Sequence, residues 1–293
     1  MRPLKIIVLA KQVPDTRHVG SDAMKPDGTV NRVKLSTVFN PDDLHALELA
    51  LNIKDRVPGT EVTILTMGPP KAADIIREGY YRGADKGFMI SDRRFGGADT
   101  LATSYTLAKG IEKLAPFDLI LGGRQAIDGD TAQVGPQCAE KLKIPQITYA
   151  EEILELKETE IIARRRLEKG IEVVSSTYPC LITVHGSSPE CRRRQAKKVM
   201  KYKYARTQTE LSSRNIDELF IKLNKERPYL NIPEWNVEDL NADITRIGLA
   251  GSPTKVKSVN SIVLTATETK HLTDSDADIE QMIKELIIHH TIG

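Results

Sequence analysis

Asp118-Leu119-Ile120-Leu121-Gly122-Gly123-Arg124-Gln125-Ala126-Ile127-Asp128-Gly129-Asp130-Thr131-Ala132-Gln133-Val134-Gly135-Pro136-Gln137 runs from an apolar stretch, through a glycine-rich loop, into a helical pattern. Residues 118–121 have the character of a strand buried on both faces, and Gly122-Gly123 ends it. The helical pattern spans 131–142. Glycine lets main-chain N–H groups approach an anion closely. A helix N-terminus adds unpaired donors and a partial positive charge. Thr131 and Gln133 can donate to phosphate or ribose oxygens, and Arg124 can pair with a phosphate. The plain alternative is a strand–helix turn with Asp130 as N-cap, a role compatible with binding. The segment has neither the ending of a Walker A loop nor a GxGxxG spacing, so the residues leave both readings open. Asp128 and Asp130 lack the further ligands that would argue for Mg²⁺.

The same rhythm extends outward from this stretch. Apolar runs at 6–10, 62–66, 87–90 and 147–150 read as further strands. Helical spacing covers 42–51, 71–82 and 100–114, the first opened by Asn40-Pro41, an N-cap and a first-turn proline. Strands alternating with helices predict an α/β fold with a doubly wound, mostly parallel sheet. From Glu151 the pattern changes. Residues 160–166 and 170–174 read as a hairpin and 179–184 as one more buried strand, all expected as antiparallel additions to the sheet. A nucleotide-binding domain is expected over 1–206 and a C-terminal arm over 207–293, with a terminal helix at 276–288. Such an arm either folds back on its own domain or embraces a partner.

In parallel sheets the ligand sits at the carboxyl ends of the strands. Three more loops fall there. They carry Ala10, Lys11 and Gln12, then Asn40 and Asp42, then Thr66, Met67 and Gly68. With Gly123, Arg124, Gln125, Asp128, Gly129, Asp130, Thr131, Gln133, Val134, Gly135, Pro136 and Gln137 they form a crevice suited to adenine, ribose and phosphates.

Composition excludes several classes. The chain has 293 residues, 42 basic against 40 acidic, and a formal charge of +2. That balance offers no strongly basic face for nucleic acid. Cys138, Cys180 and Cys191 are too few and too far apart for a disulfide framework or a zinc site. His289 and His290 read as solvent-exposed. No apolar run approaches the roughly 20 residues that span a bilayer, and no signal peptide is visible, so a cytoplasmic protein is expected. No nucleophile–base set appears; Ser252 lies in a turn without a GxSxG elbow.

The ordered motifs resemble one family, the beta subunits of electron-transfer flavoproteins. The likeness rests on Val8-Leu9-Ala10-Lys11-Gln12-Val13-Pro14-Asp15-Thr16, Asn40-Pro41, Gly83-Ala84-Asp85, the 125–133 loop, Arg165-Arg166-Leu167-Glu168-Lys169-Gly170 and Gly248-Leu249-Ala250-Gly251-Ser252-Pro253-Thr254. The resemblance implies a Rossmann-like, adenine-nucleotide-binding sheet and a heterodimer with an FAD-bearing alpha subunit. Ala10, Asn40, Thr66, Met67, Gly68, Gly123, Asp130, Thr131, Gln133, Val134 and Gly135 would line the nucleotide site, and Thr16 would lie near the alpha subunit's flavin. The bound nucleotide is AMP in simple members. In electron-bifurcating members it is a second FAD, which takes electrons from NADH. The slim Gly129-Asp130-Thr131 leans toward FAD. A flavin-containing dehydrogenase, and ferredoxin in the bifurcating case, would be electron partners. The family's dehydrogenase-docking loop aligns with Glu190-Cys191-Arg192-Arg193-Arg194-Gln195-Ala196-Lys197, where its proline is Cys191 and its anchoring leucine falls nearest Ala196. That departure puts the usual acyl-CoA dehydrogenase partner in doubt; Arg192, Arg193, Arg194, Ala196 and Lys197 are the docking candidates. A rival class is an ATP-binding stress module on the same sheet.

Overall fold

The computed structural model describes residues 1–15, 36–214, 216–254 and 270–288. Thr16, His289 and His290 lie outside the described residues. In chain order the elements are β1 (Lys5–Leu9), β2 (Gln12–Pro14), β3 (Thr37–Phe39), α1 (Pro41–Arg56), β4 (Glu61–Met67), α2 (Ala73–Arg82) and β5 (Lys86–Ile90). There follow α3 (Thr100–Lys113), β6 (Leu119–Gly123), α4 (Val134–Leu142), β7 (Gln146–Leu156), β8 (Glu160–Leu167), β9 (Gly170–Thr177) and β10 (Cys180–Val184). The remainder is α5 (Ala196–Tyr202), β11 (Arg206–Thr207), α6 (Gln208–Leu211), α7 (Glu218–Glu226), β12 (Asn231–Ile232), β13 (Glu234–Trp235) and α8 (Asp276–Ile288).

Nine strands form one sheet in the order β13-β5-β4-β1-β6-β10-β7-β8-β9. The strands from β13 through β7 pair in parallel, and β8 and β9 add antiparallel. The α/β architecture expected from the alternating pattern is therefore present. Both faces of the sheet are covered, as an all-parallel core requires. Ile6 and Val8 of β1 point into one core with Leu47, Leu51 and Ile76 of α1 and α2. Ile7 and Leu9, one residue out of phase, point into a second core with Tyr105, Ile111 and Cys138 of α3 and α4. The period of two along each strand thus feeds two separate cores.

Two local expectations are corrected. The strand through Cys180 is not antiparallel. It inserts between β6 and β7 and runs parallel to both; the register of β7 shifts where it leaves β10 for β8, the kind of irregularity that bends a strand. The helix after the glycine loop begins at Val134, not Thr131, and Gln133 occupies its N-cap. Asp130 has φ 51° and Ala132 φ 52°, a left-handed backbone that cannot continue a helix. Part of the segment beyond residue 207 packs on the sheet. Trp235 of β13 stacks on Phe88, and Val237, Leu240 and Ile247 are buried in the second core.

From β1 the chain winds through α1, β4, α2 and β5 to one side, then returns to place β6 on the other side of β1. The topological switch point therefore lies between β1 and β6, where such sheets open a crevice at their carboxyl ends.

Candidate functional site

Four loops meet at this switch point: those after β1, before α1, after β4 and after β6. The start of α1 joins three of them. Asn40 is fully buried, and its side chain does not cap the helix. Its amide donates to the Gln125 carbonyl at 2.8 Å and accepts from the Ile127 N–H at 3.2 Å. Asp43, 7% exposed, accepts the Lys11 N–H at 2.8 Å and the Gly123 N–H at 2.9 Å. Burial pushes its carboxyl up to about 7, against the pull of these N–H donors. A Cβ on Gly123 would lie 2.5 Å from Asp43 Oδ1 and 2.6 Å from the Asp42 backbone, so this contact needs glycine.

The loop itself is open. Asp128 takes the Lys11 ammonium at 2.7 Å, and Gln125 donates to Asp130 at 2.8 Å. Arg124 Nε lies 3.6 Å from Asp42 Oδ2, and the main-chain N–H of Arg124 donates to Val184 O at 2.8 Å. Asp130, Thr131 and Gln133 are exposed. Left-handed Ala132 followed by right-handed Gln133 is the backbone alternation from which anion-binding nests are built. A Cβ on Gly129 would meet no atom within 4 Å. Gln133 accepts from Thr100 at 3.0 Å and Gln137 from Ser104 at 2.9 Å, so α3 and α4 are tied beside the loop. Gly135 packs α4 against β10, where a Cβ would sit 2.7 Å from Thr183 Cγ2. Val134 and Pro136 are half-buried in this first turn.

On the β4 side, Ala10 N–H donates to Leu65 O and Gly68 N–H to Ile90 O, both at 3.0 Å. Gln12 donates to Lys71 O at 3.2 Å. Met67 is half-buried. Thr66 is fully buried, and its hydroxyl has no partner among the described residues. The structure thus brings the described crevice candidates to one end of the sheet. Asp43 was not singled out by sequence reasoning. The signal available was its place two residues after Pro41, on the inward side of α1.

The docking candidates are divided. Arg192 is drawn inward, its guanidinium on Glu48 at 3.0 Å and Asp55 at 2.9 Å. Arg194 pairs with Glu78 at 2.8 Å. Arg193, Ala196 and Lys197 are exposed. Burial pushes the Cys191 thiol up to about 11 and Cys138 to about 12, so neither is poised as a thiolate. Ser252 is buried, accepting the Asp99 N–H and donating to Gly248 O, a structural role. No group of acidic, His and Cys side chains among the described residues could hold a metal. No described helix is long and apolar enough to cross a membrane. A cavity of about 350 Å³ between α3, α4 and the 245–253 turn contains none of the crevice residues.

Comparison with known proteins agrees with this architecture. A family model for the electron transfer flavoprotein domain matches residues 27–207. The chain is 44% identical over 253 residues to the Caffeyl-CoA reductase-Etf complex subunit CarD of Acetobacterium woodii, with 86% of each chain covered. It is 39% identical over 282 residues to the electron transfer flavoprotein subunit beta of Clostridium acetobutylicum, covering 96% of this chain and 94% of that one. With the acryloyl-CoA reductase electron transfer subunit gamma of Anaerotignum propionicum it shares 50% identity over 182 residues, 61% of this chain and 67% of that one. Kinship along nearly the whole length, on a sheet whose loops gather at its switch point, makes this chain a member of the electron transfer flavoprotein family, of the beta-subunit kind.

Proposed function

We propose that the crevice between β1 and β6 holds FAD, and that the chain passes electrons from NADH or a dehydrogenase to acceptors by flavin-based bifurcation. In this reading it works with an FAD-bearing alpha subunit, with Thr16 near that subunit's flavin. The observation that carries it is the open 124–133 loop. Its left-handed residues, exposed Thr131 and Gln133, and unfilled space around Gly129 offer donors and room for a pyrophosphate. Loop amides and the α4 N-terminus would hold the phosphates. Ala10, Thr66, Met67 and Gly68 would wall the adenosine. The flavin, when bound, supplies the redox chemistry, and the protein supplies position and electrostatics.

Two relatives are named as parts of a caffeyl-CoA reductase complex and of an acryloyl-CoA reductase. That favours a flavin-containing dehydrogenase or reductase as partner, with ferredoxin as the low-potential acceptor. Exposed Arg193 and Lys197 would meet an acidic partner surface, speeding encounter. The arm ending in α8 would pack on the alpha subunit.

The test is the visible spectrum and nucleotide content of the chain purified with its alpha subunit. Two flavins per heterodimer are expected. One flavin with one AMP would replace bifurcation by simple carriage, and ATP without flavin would overturn the reading.

A further inference from the structure

We propose that Asp43 is a positioning residue that holds the two walls of the crevice together, by accepting one main-chain N–H from the loop after β1 and one from the end of β6. The inference rests on the crevice being a nucleotide site. The β1–β6 ladder is registered from Ile6–Leu119 to Leu9–Gly122. Lys11 and Gly123 lie just past that last pair, where the walls part. Their N–H groups would be orphaned there. The Asp43 carboxylate takes both, one on each oxygen, at 2.8 and 2.9 Å. An amide side chain has one acceptor and cannot do this.

No cation neutralises this buried carboxylate among the described residues. From the β1 side the Lys11 ammonium is spent on Asp128; from the β6 side Arg124 is turned to Asp42, the like-charged neighbour on α1. A buried, unneutralised carboxylate is a poor device for stability alone. It suits a clamp whose task is geometric.

Protonation would turn one acceptor into a donor facing an N–H and open one wall. The carboxyl is raised by burial from 3.8 to about 7. Two opposite pH trends follow. The stability of the nucleotide-free chain contributed by this group is full below about pH 4 and lost as pH rises through about 7. Nucleotide affinity rises over the same upper range, because the ionised clamp is the competent one.

The experiment uses the full chain, titrated calorimetrically with FAD and with AMP at about pH 6 and about pH 8.5. Amide exchange at Lys11 and Gly123 is followed without nucleotide. Asp43→Asn is compared with wild type and with the loop variant Thr131→Ala/Gln133→Ala. The phosphate titration of AMP is common to all three and cancels in ratios. At the higher pH, Asp43→Asn is expected to bind at least about tenfold more weakly, the scale of a lost hydrogen bond to a charged group. Its affinity loses the wild-type pH dependence, and exchange at Lys11 or Gly123 rises. Unchanged affinity and an unchanged pH profile in Asp43→Asn, with the loop variant impaired, would overturn the clamp alone. Wild-type binding by the loop variant, or no binding of either probe by wild type, would sink the site and the clamp together. Should Asp43→Asn fail to fold, amide exchange in the nucleotide-free wild type decides: Lys11 and Gly123 N–H groups that exchange as fast as open loop amides refute the clamp.

Discussion

Gly123 admits no side chain, and the reason lies in its neighbours rather than in its own conformation. A methyl there would press on Asp43 Oδ1 and on the Asp42 backbone, and neither can yield without moving α1. Gly123→Ala is expected to destabilise the chain by about 1–3 kcal/mol, the usual cost of overpacking, seen as a lower midpoint in calorimetry. The three arginines at 192–194 differ in the same physical way. Arg192 neutralises Glu48, which is only 7% exposed. Arg192→Ala would leave that carboxylate buried and uncompensated, for a loss of about 1–3 kcal/mol in denaturant unfolding. Arg193 has no carboxylate partner in the described structure. Arg193→Glu should leave unfolding unchanged and instead slow association with an electron partner, most clearly at low salt, in stopped-flow kinetics. Equal unfolding curves for the 192 and 193 variants would contradict this division.

At the scale of elements, α1 is more than a cover for the sheet. Asn40 stands where a capping residue belongs, yet its side chain serves the 125–127 loop. Asn40→Ala should therefore raise amide exchange at residues 125–127, by about 1–2 kcal/mol of local opening, while residues 46–53 of α1 stay protected. Fraying of α1 with a quiet loop would reverse the assignment. The start of α1 was legible in the sequence because Asn-Pro is a strong helix signal, but the direction of the Asn40 side chain was not. Likewise Asp42-Asp43 resembles the ordinary acidic first turn of a helix; only the switch point reveals that Asp43 faces two amides. The strands through 6–10, 62–66 and 118–121 were legible because burial on both faces demands unbroken apolar runs. The direction of β10 was not, since it depends on the route of the hairpin before it. The start of α4 was misplaced because Asp130 and Thr131 have capping chemistry but sit in a left-handed loop. β13, two residues long, carries no periodic signal at all.

At the scale of the whole molecule, the sheet needs the segment after residue 207. Leu230 and Ile232 fill the first core, and Val237, Leu240 and Ile247 fill the second. The terminal helix α8 differs: none of its residues is buried, and Ile279, Met282, Ile283 and Ile287 are 42%, 39%, 42% and 51% exposed. Apolar side chains spaced by three and four form one stripe, and a helix with such a stripe gains most of its stability from what it packs against. The proposal that the arm packs on the alpha subunit therefore makes two demands at once. Deleting residues 276–293 should leave the thermal midpoint of the isolated chain nearly unchanged, because none of the described residues it removes is buried. It should also weaken heterodimer association at least about 100-fold, less than full burial of four large apolar side chains could supply. Both quantities come from one variant, by calorimetry of the chain alone and by titration against the alpha subunit. A lowered midpoint with unaltered association would place the stripe against this chain's own domain, and the arm would then belong to the fold rather than to the partner.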